Sequence, residues 1–298
     1  MAYIIEDANV LKNNGFEKSS LLIRNNRIDY ISPSLKRMKS MKMNAGSYVL
    51  TPGHVMLDFS LEGAFSDIKR IFMEKLIVKG CTTVIAVASA EYERDLPEAI
   101  RKKKQIMINS PIDYCIGVKV PLKKLTPSLL INCKKNKIPL LVIEINAEDS
   151  IADFPWEWIR NSIYGFPMTL LPLWREHASL NKKKMQFIQL MKKHRISAEL
   201  ECPMEHVQIE KPLLMKIGIY PEKGDIRIGG EVDYNLYGLN EFNSVEEKFS
   251  GGYHIHIPEF TIHKGQLIKV GQKICLKPGF GEYCEIAMSG RFAANAVP

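Results

Sequence analysis

Tyr48-Val-Leu-Thr-Pro-Gly-His-Val-Met-Leu-Asp-Phe-Ser60 is the stretch on which the reading of the fold turns. It is an almost continuous apolar run of the kind a buried strand needs, with Pro52-Gly53 set in the middle of it. Upstream the rhythm is that of short strands. Ala2 to Ile5, Ser20 to Arg24 and Arg27 to Ile31 are rich in β-branched and large apolar residues. They are joined by Asn13-Asn14-Gly15 and Asn25-Asn26, residue types that tolerate a positive φ, so the chain predicts a β-meander. The basic, Met-rich stretch Lys36 to Met43 reads as a solvated loop.

Downstream, strands and helices alternate. Tyr48 to Phe59 is one buried strand. Phe65, Ile68, Phe72, Leu76 and Val78 then recur near the helical period, followed by a strand at Thr82 to Val87 and a basic helix over Leu96 to Ile108. Tyr114 to Val120 is a strand, and Thr126-Pro127 opens a helix as cap plus first-turn proline. Ile138 to Ile145 is a strand and Pro155 to Ile163 a helix. Met168 to Leu173 is a further strand candidate despite Pro172. Met185 to His194 is a helix, Ile196 to Leu200 a strand, and Met204 to Ile217 mostly helix. Alternation of this kind predicts a parallel sheet of about six strands. The span 51–221 is short for a closed eightfold barrel, which typically takes about 250 residues. After Pro221 the strands return at Asp225 to Ile228, Tyr234 to Tyr237, Tyr253 to Ile257, Gln266 to Val270 and Lys273 to Leu276. The expected fold is therefore α/β plus β: a curtailed, TIM-barrel-like βα array over 51–221, inserted in a β-rich domain made of 1–50 together with 222–298.

Composition narrows the function. Hydrophobic residues make up 46% and charged residues 25%, which excludes a disordered chain. No apolar run approaches the roughly 20 residues of a membrane-spanning helix, so no membrane role is expected. The net charge of +8 comes from short runs such as Arg101 to Lys104 and Lys192 to Arg195, which read as solvated helix faces; no nucleic-acid partner is expected. The opening MAYIIEDANV lacks a basic n-region, and the six cysteines are scattered, so reduced thiols and a cytoplasmic location are expected.

Six motifs in order resemble the amidohydrolase superfamily in its dihydroorotase, hydantoinase and imidazolonepropionase style. Ser20-Leu-Leu-Ile-Arg-Asn-Asn-Arg-Ile-Asp-Tyr-Ile31 is similar to that family's "vlIedGrIaaI" strand pair, and Val49-Leu-Thr-Pro-Gly-His-Val55 to its "vlPGfID" lead into the first barrel strand. Gly80-Cys-Thr-Thr-Val84 is similar to "GvTtv". Ile217-Gly-Ile-Tyr-Pro-Glu-Lys-Gly-Asp-Ile-Arg-Ile-Gly-Gly-Glu-Val-Asp233 is close to "lGlyprkGsIavGsdAD". Phe260-Thr-Ile-His-Lys-Gly265 and Ser289-Gly-Arg-Phe292 add the tail. The resemblance covers the two ends well and about 90–210 poorly. It implies a metal-bearing barrel with a composite β-sandwich formed by both chain ends.

The departures fall on the residues that the resemblance would make metal ligands. In "PGfIDxHxH" two imidazoles stand two residues apart, so strand alternation sends both to one face. Here Met56, Asp58 and Ser60 occupy those three places, and His54 is out of register. The fourth-strand lysine of the family has no counterpart in Leu140 to Ile145, where Glu144 is the polar residue. No histidine stands in Met168 to Leu173 or in Ile196 to Cys202; His177 and His194 lie beyond and before them. The single His-x-His, His254-Ile-His256, lies in the C-terminal β region and reads as the polar face of a strand.

Sites of parallel sheets lie at the strands' C-terminal ends. The polar residues expected there are Asp58, Glu144 and Glu201 as acid–base candidates, with Ser60, Lys119, Asn146 and Arg175 as binding candidates. Glu199 and Glu201 share a face by alternation, so several carboxylates could converge, or could instead be paired with Lys119 and Arg175. No metal and no cofactor is assigned. The reading that follows is an amidohydrolase-like protein that has lost metal-dependent catalysis and binds a small ligand, a protein partner or a second copy of itself. The alternative is a hydrolase of non-peptide C–N bonds, such as those of cyclic amides or imides, with a rearranged site. The sequence leaves open whether the chain is an enzyme.

Overall fold

Pro52-Gly53 is where the chain changes sheets. A computed structural model describes residues 2–12, 15–175, 180–239 and 257–290. In it the expected single strand Tyr48 to Phe59 is two: β5 (Tyr48–Pro52) and β6 (His54–Asp58), which belong to different sheets. Gly53 makes the crossing possible. A Cβ there would stand 2.2 Å from Thr82 Oγ1, so only glycine lets the backbone pass, and its N–H donates to Asp233 O at 2.9 Å.

The first sheet gathers both chain ends. Five strands precede the crossing: β1 (Ala2–Lys12), β2 (Gly15–Arg24), β3 (Arg27–Ser32), β4 (Met41–Asn44) and β5. Asn25 and Asn26 take φ of 50° and 59°, closing the two-residue turn that sets Arg24 opposite Arg27, as expected of that pair. The Met-rich stretch is not wholly loop. Its end forms β4, parallel to β1 from Tyr3–Met41 to Glu6–Asn44, where backbone pairing to a neighbouring strand overrides a polar, exposed sequence. From the other end come β11 (Tyr234–Gly238), β12 (Phe260–His263), β13 (Gln266–Val270) and β14 (Lys273–Ile274). β11 lies antiparallel to β5, which joins the halves in the order β14-β13-β12-β11-β5-β1-β2-β3, with β4 on β1. Ile5, Val10, Leu21, Ile23, Leu50, Tyr234 and Ile262 form its core. The expected strand at Asp225 to Ile228 is absent; that segment is turn and coil. Of the strand expected at Tyr253 to Ile257, residues 253–256 lie outside the described residues.

The second sheet has five parallel strands in order: β6, β7 (Cys81–Ser89), β8 (Asp113–Pro121), β9 (Leu140–Ile145) and β10 (Thr169–Trp174). The connections carry α1 (Phe65–Ile71), which runs on into a π-turn and a 3₁₀ turn, then α2 (Leu96–Met107), α3 (Pro127–Lys135) and α4 (Trp156–Ser162). Thr126 caps α3 as expected: its Oγ1 accepts from Leu129 N at 3.1 Å. After β10 come α5 (Leu180–His194) and α6 (Lys211–Ile217).

The expected sixth strand does not form. Residues 196–200 make one isolated parallel bridge, Leu170 to Ala198, and the chain keeps one more bond to β10, Cys202 N on Pro172 O at 3.0 Å, before it departs. The chain crosses to the opposite edge, where Met56 bridges Gln208 in the antiparallel sense and His206 and Ile209 donate to Leu57 O and Val55 O. Met204 to Glu210 is thus a tie of turn and coil rather than helix. One segment, 196–209, touches both outer strands.

The two faces of the parallel sheet bury different partners. Met56, Val84, Ala86, Ile116, Val118, Leu141, Ile143 and Leu170 pack under the helices, with Phe72, Leu96, Leu129, Trp156 and Phe187. The opposite residues of the same strands, Val55, Leu57, Ile85, Val87, Cys115, Leu140, Val142 and Leu171, form the inner face. There they meet Ile209, Ile219, Ile286 and the α6 residues Leu213, Leu214 and Ile217. The curled sheet therefore has its hollow filled by one short helix and three coil segments. Among the described residues no helix is long and apolar enough to cross a membrane.

Candidate functional site

Alternation along each parallel strand decides which polar residues can meet. Counting on from the inner-face residues Leu57, Val87, Cys115, Val142 and Leu173, the same face carries Phe59, Ser89, Lys119, Glu144 and Arg175 at the C-terminal mouth. Counting on from Met56 puts Asp58 on the helix-covered side. The residues the sequence grouped at one mouth are divided between two faces.

On the inner face Glu144 is the hub. Its Oε1 is ion-paired with the Arg175 guanidinium and lies 3.6 Å from Lys119 Nζ. Lys119 also stands 5.9 Å from the Phe59 ring centre. Arg175 is anchored by its own N–H, which donates to Ile145 O at 3.1 Å. Beside this triad opens a cavity of about 280 Å³, lined by Ser89, Ala90, Glu91, Tyr92, Lys119, Pro121, Lys124 and Glu144. Lys124 Nζ sits 4.6 Å from the Tyr92 ring centre and has no carboxylate within ion-pair distance among the described residues. Ser89, Glu91, Tyr92 and Lys124 were not singled out in the sequence. Ser89 was recoverable, because it follows Ile85 and Val87 at a spacing of two. Glu91 and Tyr92 lie on a loop and Lys124 ends a short 3₁₀ turn, where no strand period operates. Asn146 opens the turn after β9; its N–H donates to Asp149 Oδ2 at 2.8 Å, a structural role beside the mouth.

On the other face Asp58 is fully buried. Its Oδ1 accepts from Ser60 N and Leu61 N, both at 2.7 Å, and its Oδ2 contacts His206 Nε2 at 2.5 Å. The exposed Ser60 adds its hydroxyl to the same carboxylate at 3.2 Å. Burial opposes ionisation of Asp58, but the His206 hydrogen bond and charge, with the two backbone N–H groups, outweigh it and hold the carboxyl below its ordinary range. Glu205 completes the group, its Oε1 accepting from Phe59 N at 2.6 Å. Glu205 and His206 carried no signal in the sequence, since they reach Asp58 only through the tie across the sheet edge.

The expected convergence of further carboxylates does not occur. Glu201 pairs with Lys184 of α5 and its side chain is 58% exposed, while Glu199 pairs with Lys216 at 2.7 Å. The stretch stays beside β10 as far as Cys202, whose N–H donates to Pro172 O at 3.0 Å, but no regular pairing follows the bridge at Ala198, so strand alternation does not set where Glu199 and Glu201 point. His54 is buried at the opposite end of β6, its Nδ1 2.9 Å from Lys79 O and its Nε2 3.2 Å from Tyr237 OH. His194 ends α5. His177, His254 and His256 lie outside the described residues.

No family model matches the sequence, and no curated protein matches it. Solved structures do. The dihydropyrimidinase from Brevibacillus agri superposes with a TM-score of 0.70 at 11% identity, covering 98% of this chain and 100% of that one. A D-hydantoinase (dihydropyrimidinase) from Thermus sp. gives 0.67 at 10% identity, covering 98% and 100%. Another D-hydantoinase gives 0.64 at 13%, covering 96% and 99%.

The chain has the hydantoinase fold. The resemblance carried by the six motifs thus holds at the level of architecture. The paired-metal site which that resemblance implies does not fit these residues. On the inner face of this hydantoinase fold the strand ends offer an aromatic ring, a serine, a lysine, a glutamate and an arginine. The only carboxylate among them is already neutralised by two cations of the protein. Met56, where the resemblance calls for an acidic ligand, is buried in the apolar layer under the helices.

Proposed function

We propose that this protein is a hydantoinase-fold protein that binds a small ligand at the mouth of the parallel sheet and does not carry out metal-dependent hydrolysis. The observation that supports this is the Lys119–Glu144–Arg175 triad. A metal-bound hydroxide forms where a cation lowers the pKa of water from 15.7 to about 7. Here the strand ends that would hold such a cation present two fixed positive groups instead, and a further cation would meet their repulsion. What remains is a cavity with the Lys124 ammonium, which has no carboxylate in ion-pair range among the described residues, a carboxylate at Glu91, a hydroxyl at Ser89 and a ring at Tyr92. Such a lining suits a small polar ligand with an apolar part.

In this reading residues 51–221 are a shortened barrel domain, and 1–50 with 222–298 a composite β domain that is structural. A second reading, hydrolysis of a non-peptide C–N bond by a rearranged site, rests on the Asp58–His206 pair. Full burial of Asp58, on the face away from the cavity, weighs against it. The test is a screen of dihydroorotate, hydantoins and related cyclic amides and imides with added Zn²⁺ or Mn²⁺. No turnover is expected. Turnover near 1 s⁻¹, in the usual enzyme range, that vanishes in Glu144→Ala or Asp58→Ala would replace the binding reading with the hydrolase.

A further inference from the structure

We propose that Asp58, Glu205 and His206 form a site for one divalent cation of the zinc class, on the helix-covered side of the parallel sheet. This goes beyond the ligand reading and is independent of it, because the cavity and its triad lie on the inner face.

Each of the three residues offers a ligand atom, and these atoms lie within 4.8 Å of one another. Imidazole nitrogen with carboxylate oxygens is a common donor set for zinc, with bond lengths of about 2.0–2.2 Å. The supports for such a site are already in place. Asp58 Oδ1 is held by two backbone N–H groups, which leaves Oδ2 to face His206. Glu205 Oε1 is held by Phe59 N, which leaves Oε2 uncommitted among the described residues. His206 is fixed by its own N–H on Leu57 O, and its carbonyl accepts from Lys79 Nζ at 3.1 Å. Hydrogen bonds of this kind, made by atoms that are not themselves ligands, orient metal ligands in general. Two carboxylates and a neutral imidazole carry two negative charges, which one divalent ion balances. When the ion enters, the Nε2–Oδ2 hydrogen bond is given up, the neutral imidazole keeps its proton on Nδ1, and any second proton held by the pair leaves to solvent.

A protein cation beside the group does not fill the place. Lys103 Nζ is buried, but it donates to Leu61 O at 2.8 Å and meets Glu62 at 3.5 Å, with no ion pair to Asp58. The contrast is the other His–carboxylate group among the described residues, Asp113, Asp233 and His263. There Lys223 Nζ sits among the carboxylates, bonded to Asp113 and, at 3.2 Å, to Asp233, so the cation is already part of the chain. In the Asp58 group the ion would clasp the tie to the β6 edge.

The experiment uses the full chain, prepared without a His tag and stripped with chelator, titrated with Co²⁺ by visible absorbance and with Zn²⁺ by calorimetry and thermal melting. One equivalent should bind and raise Tm. Glu205→Gln, and His206→Asn chosen because asparagine tolerates the left-handed backbone at φ 59°, should each weaken binding about tenfold or more. The double variant His254→Ala/His256→Ala should bind as the parent does. The proposal is overturned if the parent binds no stoichiometric ion, if both single variants bind as tightly as the parent, or if the double variant loses the ion.

Discussion

Gly53 shows how much one residue can decide. The chain must pass from the nine-stranded sheet to the parallel sheet at this point, within contact distance of Thr82. Adding one methyl group puts a carbon 2.2 Å from the Thr82 hydroxyl, at a strand that cannot withdraw because β7 is hydrogen-bonded on both sides. Gly53→Ala should therefore lower the urea midpoint by the equivalent of about 1–3 kcal/mol, the usual range for overpacking a filled site. A parallel Thr82→Ala/Gly53→Ala double variant should recover part of the loss, because it removes the hydroxyl and the methyl group that would stand 2.2 and 2.7 Å from the new carbon. The glutamate of the triad shows the same economy. Glu144 reads in the sequence as a lone polar residue ending an apolar strand. Its meaning comes from Lys119 on the neighbouring strand β8 and Arg175 just past the end of β10, and neither spacing is visible in one dimension.

Among the elements, those set by local chemistry were the legible ones. Asn25-Asn26 and Thr126-Pro127 carry their own conformational preferences, and the structure has the turn and the cap where they stand. The strands β7 to β10 are long apolar runs between turn signals and were readable for the same reason. What failed was set by pairing at a distance. β4 is a strand because β1 offers it a partner. Residues 196–200 are not, because their pairing with β10 is regular only at Ala198 and slips before Cys202 bonds to Pro172 and the chain crosses to β6. Met204 to Ile217 reads as mostly helix, yet only Lys211–Ile217 is. The candidate site is legible residue by residue, but its division between two faces is not, because which parity of β6 faces the helices depends on what packs against each side of the sheet. Helix α6 also gives the clearest test of how the hollow is filled. Leu214 is buried between the inner face and Ile219, and its δ-carbon lies 2.7 Å from where a Cβ on Gly224 would stand. Leu214→Ala should cost about 2–5 kcal/mol, read from chemical denaturation.

At the scale of the whole molecule, the two sheets are pinned by a buried charge cluster. Asp113 begins β8, Asp233 precedes β11 and His263 ends β12. His263 Nδ1 lies 3.0 Å from Asp233, its Nε2 3.6 Å from Asp113, and Lys264 Nζ lies 2.8 Å from Asp113. Burial opposes each charge, but the partners prevail: Asp113 and Asp233 are held below the carboxylate range, and His263 is pushed above 6.5. The depressed carboxyls contribute stability that is present above the unfolded carboxylate pKa and is lost as pH falls through their folded values. The raised imidazole contributes stability present below its unfolded pKa and lost as pH rises through its folded value. Melting temperature should therefore be highest between roughly pH 4 and 6.5 as far as this cluster is concerned. In His263→Gln the decline on the alkaline side of that window should shrink; an unchanged profile would mean that the cluster does not govern it.

The tie over 196–209 has a consequence of its own. It meets β10 at Leu170 and β6 at Met56, the two strands that would otherwise be raw borders of the sheet. Bare strand borders are templates on which other chains can add. Here a single stretch of coil blunts both, and it does so as a bowstring does, spanning the gap between the tips of the bow. The bend of the sheet is thus coupled to the length of the string. A residue inserted or removed between Cys202 and His206 would change the gap between β10 and β6, and with it the width of the trough in which α6 lies. In a closed barrel the number of strands sets the diameter; in this half-ring the count of coil residues does.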